Sequence, residues 1–232
     1  MSADGFLLNG THAVESEPVS LRAGALSADF VNGNLRTIRH GGIEVLRAIA
    51  YIVRDRDWGT YEPALTDLVV DQGADTFIVS YSASCVGPER SRLDFRATIK
   101  GSADGQLVFD VSALPENAFE TNRCGFCILH PIAGLAGSPV TVEHTDGSVV
   151  ATKLPELIDP WQPLKDLRAI THEVRPGVTA ECRMEGDGFE MEDQRNWSDA
   201  SYKTYVRPLA LPWPYMLPAG QTVRQTIRLR VT

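Results

Sequence analysis

Apolar and polar residues alternate with period two along most of the chain. The segment LSADFVNGNLRTIRHGGIEVLRAIAYIVRD, residues 26–55, holds short alternating runs broken at Asn32-Gly33 and Gly41-Gly42. Asn-Gly between two alternating runs is the strongest short hairpin signal, because both central positions of a tight hairpin turn need positive φ. Further strands are expected in DTFIVSYSASCV, RLDFRATIKG, QLVFDVSAL, CGFCILHP, PVTVEHTDG, DLRAITHEV, VTAECRM, GFEMEDQ and TVRQTIRLRVT. Turns such as SADG, HTDG and RPG separate many of them. Turn signals every ten or so residues imply antiparallel strands stacked as a sandwich. No long amphipathic helix stands out. LPELIDPWQPL carries three prolines and reads as a loop on the surface or at the rim of a site. The fold class is all-β, a large antiparallel β-sandwich. Residues 1–19 read as a loosely held N-terminal arm and residues 20–232 as one sandwich domain.

Register can be read around the RPG turn. If DLRAITHEV, VTAECRM and FEMEDQ are successive hairpin strands, Val174 faces Val178 and Met184 faces Phe189. Ile170, Val174, Val178, Cys182, Met184, Phe189 and Met191 then share one apolar face. The opposite face carries Thr171, Glu181 and Glu192 in one cross-strand row, with Arg183 opposite Glu190. On the core side His172, Ala180 and Asp193 form a second row, so His172 and Asp193 can lean together over the small alanine.

That register makes the stretch GFEMEDQRNWSDASYKTY, residues 188–205, the candidate site. It reads as a strand that leaves the core and enters the rim of a polar pocket. Opposed carboxylates about 5 Å apart split their pKa values into one acid and one base. Glu181, Glu192, Asp193 and Arg195 are the candidate catalytic residues. Glu192 or Asp193 would act as base, with Arg195, Asn196 and Lys203 as donors. His130, His172, Asn196, Trp197, Lys203 and Trp58 are the candidate substrate-binding residues. Solvated charges, ordinary ion pairs and core histidines are the plainer reading of the same residues.

Bulk properties narrow the function. A domain of 232 residues buries roughly 70% of its unfolded surface and needs no disulfide or metal to hold it. A net charge of −8 disfavours nucleic acid and anionic membrane as partners. No apolar run approaches the ~20 residues of a membrane span, and the first residues lack the basic start of a secretory signal. The expectation is a cytoplasmic protein. No Walker A, GxGxxG, GxSxG or HExxH motif is present, and no cofactor is expected.

LSADFVNGNLRTIRHGGIEVLRAIAYIVRDRDWGTYEP, TNRCGFCILHPIAGLAG, PVTVEHTDG and FEMEDQRNWSDASYKTYVRPLALPWPY together resemble the β-rich N-terminal part of the D-apionate lactonase family. The likeness runs from about Leu21 to the C-terminus. It implies action in apiose catabolism, the opening of D-apionolactone to D-apionate. Members of that family are longer and continue into a further, barrel-like region that this chain lacks, so no family catalytic residue is carried over. The opening strand, Asn-Gly turn and LRTIRH pattern is also similar to galactose-mutarotase-like supersandwich domains, which implies that fold.

The functional expectation is a carbohydrate-active protein, either a lactonase-like hydrolase or a mutarotase-like or epimerase-like isomerase. A non-catalytic carbohydrate-binding or accessory sandwich stands beside it. The partner is a small sugar or sugar lactone, with a homo-oligomer or a separately encoded catalytic chain left open. Cys124 and Cys127 form a CxxC, but zinc ribbons need two such pairs, so no metal site is expected. Dialysed protein should therefore carry no stoichiometric zinc. Zinc that survives dialysis and disappears in Cys124→Ser would contradict this.

Overall fold

The computed structural model describes residues 17–232. The expected N-terminal arm lies outside the described residues as far as Ser16, and its last residue, Val19, opens the first strand. The strands are β1 (Val19–Ala23), β2 (Leu26–Val31), β3 (Asn34–His40), β4 (Ile43–Arg54), β5 (Ala64–Gln72) and β6 (Thr76–Val86). They continue as β7 (Arg92–Ser102), β8 (Gln106–Pro115), β9 (Phe119–Thr121), β10 (Arg123–Pro131), β11 (Pro139–His144) and β12 (Val149–Lys153). The last six are β13 (Leu164–Arg175), β14 (Val178–Glu185), β15 (Phe189–Asp193), β16 (Ser201–Val206), β17 (Tyr215–Leu217) and β18 (Val223–Val231).

Sixteen of these strands join one antiparallel sheet, in the order β1-β2-β3-β4-β10-β16-β15-β13-β14-β18-β8-β7-β6-β5, with β11 and β12 attached beside β13. The sheet folds over so that its two ends face each other. Aromatic pairs mark the seam: Tyr51 of β4 meets Phe95 of β7, Phe30 of β2 meets Tyr81 of β6, and Phe126 of β10 meets Phe109 of β8. One apolar cluster fills the space between the layers, from Leu21 to Val231. Each fully buried Phe or Leu in it contributes roughly 1.5–3 kcal/mol.

The expected hairpins at Asn32-Gly33 and Gly41-Gly42 join β2 to β3 and β3 to β4. CGFCILHP lies in β10, and 154–163 carries no strand. Strands β1, β5, β9, β12, β16 and β17 are additions to the sequence reading. SYKTYV of β16 lacks clean alternation because the strand is buried on both faces.

The register expectation divides in two. Across β13 and β14, Thr171 faces Glu181 and His172 faces Ala180, as expected. A bulge at the turn pairs Val178 with Arg175 instead of Val174. The next step fails. β14 gives its free edge to β18, so Glu181 faces Arg230 and Met184 faces Ile227. β15 crosses to the other edge of β13, where Leu164 faces Met191 and Leu167 faces Phe189. Glu181 and Glu192 therefore sit on opposite sides of β13, some seven residues apart along it, roughly 23 Å at the rise of a strand. They form no carboxylate pair. Met184 does not face Phe189, and Arg183 does not face Glu190. The apolar face survives: Ile170, Cys182, Met184, Phe189 and Met191 are all buried, and Val174 and Val178 pack against the core.

The layers are also tied by a polar clamp. The buried Gln225 of β18 accepts from the Phe126 backbone N–H at 3.1 Å and donates to the Cys124 carbonyl at 3.1 Å. It passes over Gly125, whose φ is +151°. A Cβ there would meet the Gln225 Oε1 at 2.2 Å and the Val206 Cγ1 at 2.3 Å. Gly125→Ala should cost at least the ~1–3 kcal/mol of core overpacking, read as a lower urea midpoint. An unchanged midpoint would mean the clamp contributes nothing.

Candidate functional site

Strand β10 has two faces. Cys124, Phe126, Ile128 and His130 point between the layers, and Arg123, Cys127 and Leu129 point to the outer face. The CxxC spacing thus sends its two thiols to opposite faces. The Cys124 Sγ lies 3.2 Å from the Tyr51 hydroxyl, and all four cysteines are free and buried.

The ladder carries the outer face sideways. Cys127 faces Tyr205 and Leu129 faces Lys203 on β16; Tyr205 then faces Glu190 and Lys203 faces Glu192 on β15. Glu192 forms an ion pair with Lys203 and accepts from the Gln194 amide at 2.6 Å. Both members of that pair keep about a fifth of their side chain open to solvent, 20% and 18%. Beneath them the Tyr205 hydroxyl donates to the buried Glu190 at 2.7 Å, and the Leu209 N–H donates to the same carboxylate oxygen. Burial and that carboxylate push the Tyr205 phenol well up.

Two cations flank the Tyr205 ring. The Arg123 guanidinium stacks 4.1 Å from its centroid and the Lys203 ammonium lies 5.3 Å away. Arg123 also lies 5.3 Å from the Trp58 ring, which meets Trp213 edge-on. Burial raises the Cys127 thiol pKa against the pull of Arg123, Lys203 and Arg54. Leu129 lines an open cleft of about 530 Å³ with Arg36, Thr37, Arg39, Glu44, Arg47 and Asp199. Bulges at Thr37 and between Glu44 and Leu46 turn these side chains to one face.

The sequence-derived candidates therefore divide into groups. Glu192, Lys203 and Trp58 belong to the outer-face cluster. Glu181 lies apart on an exposed ladder, 3.4 Å from Arg183, which also binds Glu143. Asp193, Arg195 and Asn196 form a separate knot. Asp193 is fully buried and is held by the Arg195 side chain at 2.7 Å and by the Asp159 and Arg195 backbone N–H groups at 3.1 Å. Burial works to raise its pKa, but these donors prevail and hold the carboxyl below its usual range. Arg195 spends its other N–H groups on the carbonyls of Pro155, Glu156 and Leu157, and Asn196 donates to the Asp159 carbonyl. This knot fastens the proline-rich loop to the end of β15. Trp197 is exposed beside it.

His130 and His172 are inside the sandwich. His130 Nε2 shares a hydrogen bond of 2.8 Å with the Thr204 hydroxyl. His172 faces Val140 and Ala180, away from Asp193, whose partners are those of the knot. Tyr205, Arg123, Glu190 and Cys127 are additions that the sequence reading missed. The available signal was a charged residue leading a strand, RCGFCILHP, otherwise buried on both faces. Among the described residues, no cluster of three or more His, Cys, Asp or Glu is placed to hold a metal ion. No helix there is long and apolar enough to cross a membrane.

The chain matches the family described as D-apionate lactonase, N-terminal domain, over residues 6–232. It is 61% identical to the D-apionate lactonase of Brucella anthropi across the whole of this chain. The chain belongs to the D-apionate lactonase family. It spans 38% of that relative's length. Solved structures share the fold at low identity. The galactose 1-epimerase of Lactobacillus acidophilus matches with a TM-score of 0.55 at 7% identity, over 94% of this chain and 97% of that one. A putative aldose 1-epimerase of Escherichia coli K12 gives 0.51 at 13%, over 93% and 99%. A β-arabinopyranosidase gives 0.55 at 9%, over 92% of this chain and 40% of that one. This chain thus has the fold of the mutarotase-like β-sandwiches, and its regular structure is nearly all strand.

The buried histidines make a pH prediction. Burial lowers His130 to about 3, with a further push from His172, and lowers His172 to about 4. The unfolded chain binds these protons near pH 6.5, so it holds more protons than the folded one between pH 6.5 and about 4. Stability is therefore full above pH 6.5 and falls as pH drops below it. The urea midpoint should fall from pH 7 to pH 5, and by less in His130→Gln. A flat wild-type profile over that range would contradict the burial of both rings as neutral groups.

Proposed function

We propose that the outer face around Glu192, Lys203, Tyr205 and Arg123 binds a sugar lactone and opens it by hydrolysis. Membership of a family named for D-apionate lactonase supports a lactone whose hydrolysis gives D-apionate. The observation that carries the reading is the partly open Glu192–Lys203 pair beside a cation-stacked tyrosine, where a candidate base and donors meet on an accessible face. Glu192 takes a proton from water as the oxygen adds to the lactone carbonyl carbon. The carbonyl electrons move onto oxygen, where Lys203 and Arg123 oppose the negative charge. Collapse re-forms the C=O bond and breaks the bond to the ring oxygen, which takes the proton from Glu192. The new carboxylic acid ionises and releases one proton per turnover.

A second reading has a specific basis. The chain spans 38% of its relative, and the same fold makes up 40% of the matched β-arabinopyranosidase chain. On that reading the face binds sugar and chemistry belongs to another part of the longer protein. The two separate in a pH-stat assay of this chain with D-apionolactone. Hydrolysis above the spontaneous rate supports the lactonase. Binding without hydrolysis supports the accessory domain.

Glu192→Gln tests the base. It keeps the shape, and because the pair is partly solvated the stability change should stay within about 1 kcal/mol. Turnover should fall at least ~100-fold, the usual worth of a general base. Lost stability with unchanged turnover per folded molecule would remove Glu192 from the mechanism.

A further inference from the structure

Arg54 and Arg123 stand directly opposite each other across the β4–β10 ladder, on the outer face. Opposed residues have Cβ atoms about 5 Å apart, and like charges there repel. Neither guanidinium has a carboxylate partner among the described residues. Glu190 is engaged by Tyr205 and Leu209, and Glu192 by Lys203 and Gln194. Arg123 is 4% exposed, and the Nε of each arginine is buried with no acceptor. What the pair does contact leaves the charge uncancelled. Arg54 donates to the Trp58 carbonyl at 2.7 Å, and Arg123 lies between the Trp58 and Tyr205 rings. Asn122 packs on the same 54–58 turn through its bonds to the Arg54 and Arg56 carbonyls, and its Oδ1 is buried with no donor.

Buried cations are normally paired, and buried donors and acceptors are normally satisfied. Here two opposed cations and a neutral acceptor are all short of partners, beside an aromatic wall whose outer member, Trp213, is half exposed. We infer that Arg54 and Arg123 form a carboxylate subsite for a polyhydroxy acid anion, entered past Trp213. The carboxylate oxygens accept from the two guanidinium groups, a hydroxyl donates to Asn122 Oδ1, and the carbon chain lies against Trp58. A bare inorganic anion would satisfy the arginines and leave Asn122 unused. The inference rests on reading this face as the sugar site, though not on catalysis there. It makes the ring-opened acid, rather than only the neutral lactone, a ligand of this face.

The test is calorimetric titration of the full chain with sodium D-apionate, with D-ribose as neutral polyol and inorganic phosphate as bare anion. Apionate should bind, and Arg123→Gln and Arg54→Gln should each weaken it at least tenfold. Phosphate and ribose should bind at least tenfold more weakly than apionate to the parent chain. Without ligand, Arg123→Gln should melt no lower than the parent, because it removes a buried unpaired charge. If that variant does not fold, Arg54→Gln, on the less buried partner, carries the same test. No apionate binding, binding indifferent to both substitutions, or phosphate binding as tightly as apionate would each overturn the inference. Apionate binding through these arginines without lactone hydrolysis would leave it standing and refute the proposed hydrolysis. Hydrolysis with no arginine-dependent apionate binding would do the reverse.

Discussion

Strand β10 is buried on both faces, and most of the structure follows from how each face is satisfied. The inner face is largely apolar, with His130 satisfied by the Thr204 hydroxyl. Cys124, Phe126 and Ile128 meet Phe109, Tyr51 and the rest of the core, and Gln225 completes the backbone over Gly125. The outer face is different because it carries Arg123. A guanidinium cannot shed its charge, so burying it requires counter-charge, aromatic faces or a ligand. Among the described residues the protein supplies aromatic faces, Tyr205 and Trp58, and no carboxylate. A buried strand with one cationic residue therefore sets both the sandwich and the chemistry of its outer surface.

Two groups of charge in the 190–203 stretch have opposite fates, for a reason of parity. Glu192 and Asp193 are neighbours, so one points out and one points in. The outward carboxylate meets Lys203 in a pair that keeps about a fifth of each side chain open to solvent. The inward one is sealed under Arg195 and two backbone N–H groups, and Arg195 in turn spends its remaining donors on three backbone carbonyls. A carboxylate so held below its usual pKa is a poor base, and its work is to fasten the proline-rich loop. Adjacent acids with similar local sequence thus divide into a candidate catalytic group and a structural one.

The chain's relation to its longer relative gives these details their significance. A sheet face bearing a base, two kinds of cation and an aromatic wall suits both lactone opening and sugar capture. On the proposed reading, the difference lies in whether Glu192 activates water here. The buried arginine pair answers a different question, that of which ligand charge the face prefers. Lactone and acid differ by one negative charge, so opposed guanidinium groups would make this surface discriminate between them.

Period-two alternation by itself determined that the chain is all strand, where the first hairpins fall, which side of 170–191 is core, and that Thr171 stands opposite Glu181. These are short-range consequences of the pleat and of turn residues. The sequence also singled out Glu192, Lys203 and Trp58. Only the tertiary structure decided which strands become neighbours after the Glu185–Gly188 turn. A hairpin was the local expectation, but β18, from the far end of the chain, occupies the edge of β14 and sends β15 across β13. That exchange separates Glu181 from Glu192, while Glu192 meets Lys203 through the neighbouring β15–β16 pairing. The pairing of β10 with β16 places Arg123, more than sixty residues earlier, against Tyr205. Alternation tells which face a side chain takes, while long-range strand pairing tells what it meets there. A site assembled from β4, β10, β15 and β16 is decided by the second.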